Sequence, residues 1–368
     1  MSHVIGRPPI RPRAHLLQAP SAEVGGAAVL DSKRLGVSRV IRLNSNEGPY
    51  GPFAEAQSAL AQAAADCNRY PDPSGESLRA ALAGHYGLQP DEVIVEGGGT
   101  QLLFMLCSAI LEPGDEVVLP WPSFPMYRVA TVRAQGQPVV VPLRDHHIDT
   151  PSLLGAITAR TRIVMVCNPN NPTGTTTTRA ALDDLIEGLP AGVLVVLDEA
   201  YAEFAEDVAA GLTYVKEDRP VFVLRTFSKI YGLAGARVGY GLAPVDVIAA
   251  VRQVQVPYTV SALGQAAALA SLPLRRQVAE RVRANAAGRE QVSAGLAKLG
   301  VACVPSQANF IWVELGPRAA EVIQRLNGEG ILIRPGRGYD APTYARVTVG
   351  LPEENEAFLE ALQRSLRS

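Results

Sequence analysis

Along this chain, short runs dense in valine, isoleucine and leucine alternate with longer stretches where apolar residues return every three or four positions. The short runs have the length of a buried strand, and the longer ones the period of a helix with one apolar face. Residues 39–43 read as a short strand, and 53–65 as a helix with Phe53, Ala56 and Leu60 on one side. A strand over 92–96 leads through Gly97-Gly98-Gly99-Thr100 into an apolar helix over 102–111. Strand-like runs follow at 116–119, 137–141, 162–166, 193–197 and 221–224. Valine-dense runs separated by helical patterns predict an α/β fold, with a mostly parallel sheet covered by helices on both faces.

The texture changes near Pro257. A long helix with a polar face spans 274–299 and stops at Gly300, a residue suited to the left-handed turn that ends many helices. Strands over 308–313, 331–334 and 346–349 follow, then a terminal amphipathic helix carrying Phe358, Leu362 and Leu366. This is the pattern of a smaller α+β domain. The predicted division is 1–45 as an N-terminal arm and part of the small domain, 46–256 as the large domain, and 257–368 as the small C-terminal domain. The threonine run over 175–178 is expected to open a helix.

Composition narrows the function classes. At 368 residues the chain exceeds the usual size of one hydrophobic core, which agrees with two domains. A formal net charge of -2 gives no electrostatic reason to expect nucleic acid or an anionic membrane as a partner. Cys67, Cys107, Cys167 and Cys303 are far apart and the histidines are equally scattered, so no metal-ligand spacing appears. Reduced thiols in a cytoplasmic protein are expected. Prolines break residues 1–20, and no apolar stretch is long enough to cross a bilayer, so neither a signal peptide nor a membrane span is expected.

Candidate chemistry gathers where the predicted large-domain strands end, the edge at which open α/β sheets bind ligands. After the run 221–224 comes Thr226-Phe227-Ser228-Lys229, followed by Arg237. A lysine there can form a Schiff base, while Ser228 and Arg237 can hold a phosphate beside it. Together they can grip the aldehyde and phosphate of pyridoxal 5'-phosphate (PLP). Gly97-Gly98-Gly99-Thr100 is either a plain strand-to-helix turn or an anion site at a helix N-terminus. Cys167-Asn168-Pro169-Asn170-Asn171-Pro172-Thr173-Gly174 is either an ordinary Asn-Pro turn or a locked side-chain donor, and its X-Pro bonds are places for a cis peptide. Asp198-Glu199-Ala200-Tyr201 ends the run 193–197. A carboxylate buried there needs a cation or several donors. The protonated pyridine nitrogen of PLP is such a cation, while a metal ion or a helix cap are the other readings. Tyr201 can hydrogen-bond the ring's phenolic oxygen.

The order of these elements resembles the fold type I PLP-dependent aminotransferases over nearly the whole chain. Asn171-Pro172-Thr173-Gly174 is similar to the family's Asn-Pro-x-Gly, and Asp198-Glu199-Ala200-Tyr201 to its Asp-x-x-Tyr. Ser228-Lys229 through Arg237 resembles its Ser-Lys-(x)7-Arg. The resemblance implies a seven-stranded, mostly parallel sheet sandwiched by helices. It also implies that Lys229 holds PLP and then moves the proton of the substrate's α-carbon. Asp198 would pair with the pyridinium, and Asn171 and Tyr201 would bind the ring oxygen. Gly98, Gly99, Thr100, Ser228 and Arg237 would hold the phosphate. Phe124 stands where relatives stack an aromatic ring on the cofactor, most often tyrosine.

Within that family the chain is most similar to the histidinol-phosphate aminotransferases. The residues that carry this are Leu43-Asn44-Ser45-Asn46-Glu47, Arg69-Tyr70-Pro71-Asp72, Pro257-Tyr258, Ala308-Asn309-Phe310, Arg334 and Arg346-Val347-Thr348-Val349-Gly350. This resemblance implies a homodimer with shared sites, Tyr70 reaching the neighbour's PLP phosphate and Tyr258 facing the neighbour's substrate. Arg346 and Arg334 would bind the substrate's anion and Asn309 would also contact substrate. A guanidinium fork accepts either phosphate or carboxylate. The implied reaction is amino transfer between histidinol phosphate and 2-oxoglutarate. An aromatic amino acid aminotransferase or a threonine-phosphate decarboxylase-like enzyme would share the cofactor residues. A PLP-binding regulatory module is the non-enzymatic alternative.

Overall fold

The computed structural model describes residues 13–18, 36–206 and 210–367. Most of the expected N-terminal arm, 1–12 and 19–35, lies outside the described residues. In chain order the elements are α1 (Ala14–Gln18), β1 (Ile41–Leu43), α2 (Ala54–Ala64), α3 (Glu76–Tyr86), β2 (Val93–Glu96), α4 (Gly99–Ile110) and β3 (Glu116–Trp121). Then come α5 (Met126–Arg133), β4 (Gln137–Pro142), α6 (Thr150–Gly155), β5 (Thr161–Cys167), α7 (Arg179–Glu187) and β6 (Leu194–Asp198). They continue as α8 (Ala210–Lys216), β7 (Val221–Thr226), β8 (Gly239–Leu242), α9 (Val245–Arg252), α10 (Ala262–Ser271) and α11 (Arg275–Lys298). The last are β9 (Cys303–Val304), β10 (Phe310–Glu314), α12 (Ala319–Gly328), β11 (Ile331–Pro335), β12 (Tyr344–Thr348) and α13 (Pro352–Arg367).

Among the described residues the larger sheet has seven strands in the order β2-β8-β7-β6-β5-β3-β4. The ladders from β7 through β4 are parallel, and β8 runs antiparallel to both its neighbours. Both faces are buried. Val164, Val166, Val195, Leu197, Val221 and Val223 pack to one side, and Ile163, Met165, Leu194, Val196, Phe222 and Leu224 to the other. That two-sided burial is why these strands show no polar alternation.

Sequence patterning misses β8, Gly239-Tyr240-Gly241-Leu242, because glycine weakens a strand signal. The structure gives the reason for both glycines. A Cβ on Gly239 would strike the Gly98–Gly99 backbone, and one on Gly241 would enter the Phe222 ring. Elsewhere the sequence signals mark real ends: the Thr178 side chain caps α7 by accepting from the Ala181 N–H, and Gly300 follows α11 at φ +70°.

The smaller sheet runs β1-β11-β12-β10-β9, antiparallel except for the β1–β11 pair. Its core joins Ile311, Val313, Ile333 and Val347 to Phe358 and Leu362 of α13. Helix α10 lies beyond the division at 257, and its buried Ala267 and Ala268 join the core of the large sheet. Helix α11 touches both cores, with Val278 and Val282 on the large one and Val292 and Leu296 in the small one.

Candidate active site

Register brings Cys167, Asp198 and Leu224 side by side at the carboxyl ends of β5, β6 and β7. The loops leaving those strands therefore open onto one place, as do the turn before α4 and the segment after β3. A cavity of about 290 Å³ lies there, lined by Gly99, Thr100, Phe124, Asn171, Asp198, Tyr201, Ser228, Lys229 and Arg237.

One end of the cavity suits a multiply charged anion. Helix α4 begins at Gly99, so the Gly99 and Thr100 N–H groups at its start have no intrahelical partner and carry the positive end of the dipole. Gly98 has φ +98°, and a Cβ there would fall inside the Arg237 guanidinium. Only glycine lets that guanidinium lie against the turn. Arg237 Nη1 donates to the Ala234 carbonyl at 2.9 Å and reaches Ser228 Oγ at 3.5 Å. Ser228 Oγ also accepts from Thr226 Oγ1 at 2.9 Å. A hydroxyl, a guanidinium and a helix terminus thus converge within one loop cluster.

The other end suits a cation. Asp198 Oδ2 accepts from the Tyr127 hydroxyl at 2.7 Å and Oδ1 from the Ala200 N–H at 3.1 Å. Burial pushes the Asp198 carboxyl above its ordinary pKa, and those two donors pull the other way. A positive group brought into the cavity would complete the balance.

Lys229 sits between the ends. Its Nζ donates to the Ser45 carbonyl at 3.3 Å and lies 5.7 Å from the centre of the Tyr201 ring. Burial first, and then the positive charge of Arg346, lower its pKa from 10.5 to about 8. A buried lysine tuned in this way is nucleophilic near neutral pH.

A second cavity of about 600 Å³ adjoins Lys229, Phe124 and Tyr201, with Arg128, Arg334, Arg337 and Arg346 in its lining. Arg346 is buried on β12. It donates through Nη2 to the Asn44 carbonyl at 2.9 Å, and through Nη1 to Asn171 Oδ1 at 2.6 Å and the Tyr339 hydroxyl at 2.7 Å. Its Nε has no partner.

Most of the expected site residues therefore meet. Gly99, Thr100, Phe124, Asn171, Asp198, Tyr201, Ser228, Lys229 and Arg237 line the first cavity, Gly98 backs Arg237, and Arg334 and Arg346 line the second. Tyr70 and Tyr258 are elsewhere, 84% and 45% exposed, with ring centroids 4.8 Å apart. Asn309 lines neither cavity and donates to the Asn46 carbonyl at 3.1 Å. The cis bonds of this region are Trp121–Pro122 and Asn168–Pro169, the second of them one of the two Asn-Pro bonds in the segment where a cis peptide is expected. Sequence reasoning missed Tyr127, Asn46, Arg128, Arg337 and Tyr339. Tyr127 had one available signal, its place three residues beyond Phe124 in the first turn of α5, and Asn46 lay within a motif that carries the family resemblance; the others touch the site only through the folded chain.

Comparison with known proteins agrees with this geometry. The family model described as aminotransferase class I and II matches residues 38–362. The histidinol-phosphate aminotransferase of Moorella thermoacetica is 41% identical over 337 residues, 91% of this chain and 87% of that protein. The aromatic amino acid aminotransferase of Thermobifida fusca is 43% identical over 87% of this chain and 89% of its own. Among solved structures, histidinol-phosphate aminotransferase from Sinorhizobium meliloti in complex with pyridoxal 5'-phosphate superposes with a TM-score of 0.86 at 29% identity. That match covers 95% of this chain and 99% of the other. A family match over nearly the whole length, with relatives above 40% identity, gives one conclusion: the chain belongs to the class I and II aminotransferases.

Proposed function

We propose that the chain binds PLP in the first cavity and transfers an amino group from histidinol phosphate to 2-oxoglutarate, giving imidazole-acetol phosphate and glutamate. The cofactor fits the residues present: an anion cradle at one end, a carboxylate short of a cation at the other, and a nucleophilic lysine between. When bound, PLP supplies the electron sink that lets the substrate's α-carbon lose a proton. Asp198 would keep the pyridine nitrogen protonated. Asn171 and Tyr201 would hold the ring oxygen, and Phe124 would cover a ring face with an apolar surface. Gly98, Gly99, Thr100, Ser228 and Arg237 would hold the phosphate. Lys229 would hold the cofactor through Nζ, and its amine is placed to take and return the substrate's α-carbon proton.

The phosphate-bearing substrate is carried by one observation, the lining of Arg128, Arg334, Arg337 and Arg346 around the second cavity beside Lys229, an excess of positive charge even with Arg128 paired to Asp340 of the same wall. A phosphate dianion draws more positive charge than a carboxylate, and guanidinium forks suit both anions. Arg346 would give up a neutral acceptor to grip either substrate, with Arg334 beside it. Asn309 would act on substrate through the 44–47 segment.

Transamination of aromatic amino acids is the second reading. The 43% identical Thermobifida fusca relative favours it, and so do Trp121, Phe124 and Tyr339 in the same cavity wall. Initial rates with histidinol phosphate, phenylalanine, tyrosine and threonine phosphate, each against 2-oxoglutarate, decide the matter. The first should lead by at least about tenfold in kcat/KM, the ratio that one lost charged hydrogen bond would give. Equal or faster rates with phenylalanine would overturn the phosphate reading.

The exposed Tyr70–Tyr258 pair supports a homodimer in which each protomer completes the other's site. Residues 46–256, joined by α10, would act as the large domain, and the remainder of 257–368 together with β1 as the small one. No described helix is long and apolar enough to cross a membrane, and Cys67, Cys107, Cys167 and Cys303 are all free; both features support a cytoplasmic enzyme.

A further inference from the structure

Residues 44–47 leave β1 of the small sheet and pass directly over Lys229. Within them Asn46 is 1% exposed and has φ +53°. All four of its polar groups are engaged. The N–H donates to Thr348 Oγ1 at 3.0 Å, and the carbonyl accepts from Asn309 Nδ2 at 3.1 Å. In the side chain, Oδ1 accepts from Thr348 Oγ1 at 3.3 Å and Nδ2 donates to the Tyr201 hydroxyl at 2.9 Å.

The direction of that last bond follows from counting protons. Thr348 is 1% exposed, so its single hydroxyl proton needs an acceptor inside the protein. Its oxygen already accepts the Asn46 N–H, and the acceptor it meets is Asn46 Oδ1. That contact turns the amide's NH2 group toward Tyr201, and an NH2 group only donates. The Tyr201 oxygen therefore accepts from Asn46 and keeps its own proton for a partner in the cavity it lines. Burial also pushes the Tyr201 phenol well above its ordinary pKa, so the proton is present throughout the working range.

We propose that Asn46 is a positioning residue that fixes Tyr201 as a hydrogen-bond donor toward the ring oxygen of PLP, with Thr348 setting the orientation of the Asn46 amide. This rests on PLP occupying the first cavity as described above. It has an unusual consequence: the isosteric substitution should do more harm than the truncation. In Asn46→Asp the carboxylate accepts only, so the Tyr201 proton turns to it and is lost to the cavity. In Asn46→Ala the proton stays free.

The test uses PLP-loaded enzyme and reads the pH midpoint of its visible absorbance band, together with PLP affinity. Tyr201→Phe and Asn46→Asp should displace the midpoint in the same direction by similar amounts, and each should weaken PLP binding about 30-fold, the scale of a hydrogen bond to a charged group. Asn46→Ala should stay within about threefold of the unaltered protein. In a Tyr201→Phe background, Asn46→Asp should add less than about twofold. Thr348→Val, which frees the amide to turn, is a milder substitution should Asn46→Asp not fold. It should shift the midpoint the same way, by less, and have no effect when Tyr201 is Phe. Failure of the unaltered protein to retain PLP would overturn both this proposal and the cofactor reading. Retention of PLP with Asn46→Ala as damaging as Asn46→Asp, or with an Asn46→Asp or Thr348→Val effect undiminished in Tyr201→Phe, would overturn this proposal alone.

Discussion

Asp198 and Glu199 stand side by side where β6 ends, both buried, and the pleat sends them to opposite faces of the large sheet. Glu199, on the side of Val195 and Leu197, takes two hydrogen bonds from Arg225, at 2.9 and 2.7 Å, and a third from the Gly211 N–H at 3.2 Å. Asp198, on the side of Leu194 and Val196, is met by two neutral donors, Tyr127 and Ala200. One carboxylate is balanced by an internal cation and serves the scaffold. The other is oriented but left for a cation to come, which is how a fold prepares a charged site. Arg346 belongs with Asp198, since its partners Asn44, Asn171 and Tyr339 are all neutral.

Substitutions that remove charge and keep shape should separate the two classes. Asp198→Asn should lower kcat about 10³-fold, the scale of a lost preorganised electrostatic contact. It should leave the melting temperature of the PLP-free protein unchanged or higher, because a poorly compensated buried charge is gone. Glu199→Gln should do the reverse. It strands Arg225, so denaturant unfolding should report a loss of about 3–5 kcal/mol, while kcat of the folded protein stays within about threefold. A large kcat loss in Glu199→Gln with unaltered stability would erase the distinction.

Arg346→Ala should raise KM for both histidinol phosphate and glutamate by about 10- to 100-fold, the range for hydrogen bonds to charged groups. An unchanged KM for either substrate in steady-state kinetics would remove Arg346 from the binding role. Lys229 gives a pH signature. Its amine is held near pKa 8 rather than 10.5, so the rate of PLP capture by PLP-free protein should rise with pH through a midpoint near 8. The same depression has a stability consequence. From about pH 8 to 10.5 the unfolded chain holds a proton that the folded one has released, so stability should rise with pH across that window relative to Lys229→Met. Phe124→Tyr should be the mildest change, under about threefold in kcat/KM, because the ring face stays and only a hydroxyl is added.

What was legible in the sequence follows the same division. The central strands could be read because both faces are buried, which leaves long valine-rich runs such as Val221-Phe222-Val223-Leu224. The residues at their carboxyl ends, Asn171, Asp198, Ser228 and Lys229, inherit their convergence from parallel topology, so linear motifs sufficed to name them. Strand β8 was illegible because its glycines answer to the volume of Phe222 and the Gly98–Gly99 turn, not to strand propensity. The roles of Tyr127 and Asn46 were illegible for another reason. Each acts on a site residue through a contact that only the assembled fold creates, 71 positions apart for Tyr127 and Asp198 and 155 for Asn46 and Tyr201. Arg346 stood out only through family resemblance, since nothing local marks an arginine in a short strand as buried.

The central claim, that this cavity holds PLP on Lys229, has a direct test in peptide mapping after borohydride reduction of the PLP-loaded enzyme. The account predicts that the peptide carrying Lys229 gains the mass of a reduced phosphopyridoxyl group, and that Lys33, Lys216 and Lys298 do not. An unmodified Lys229 peptide, or the group on another lysine, would contradict it.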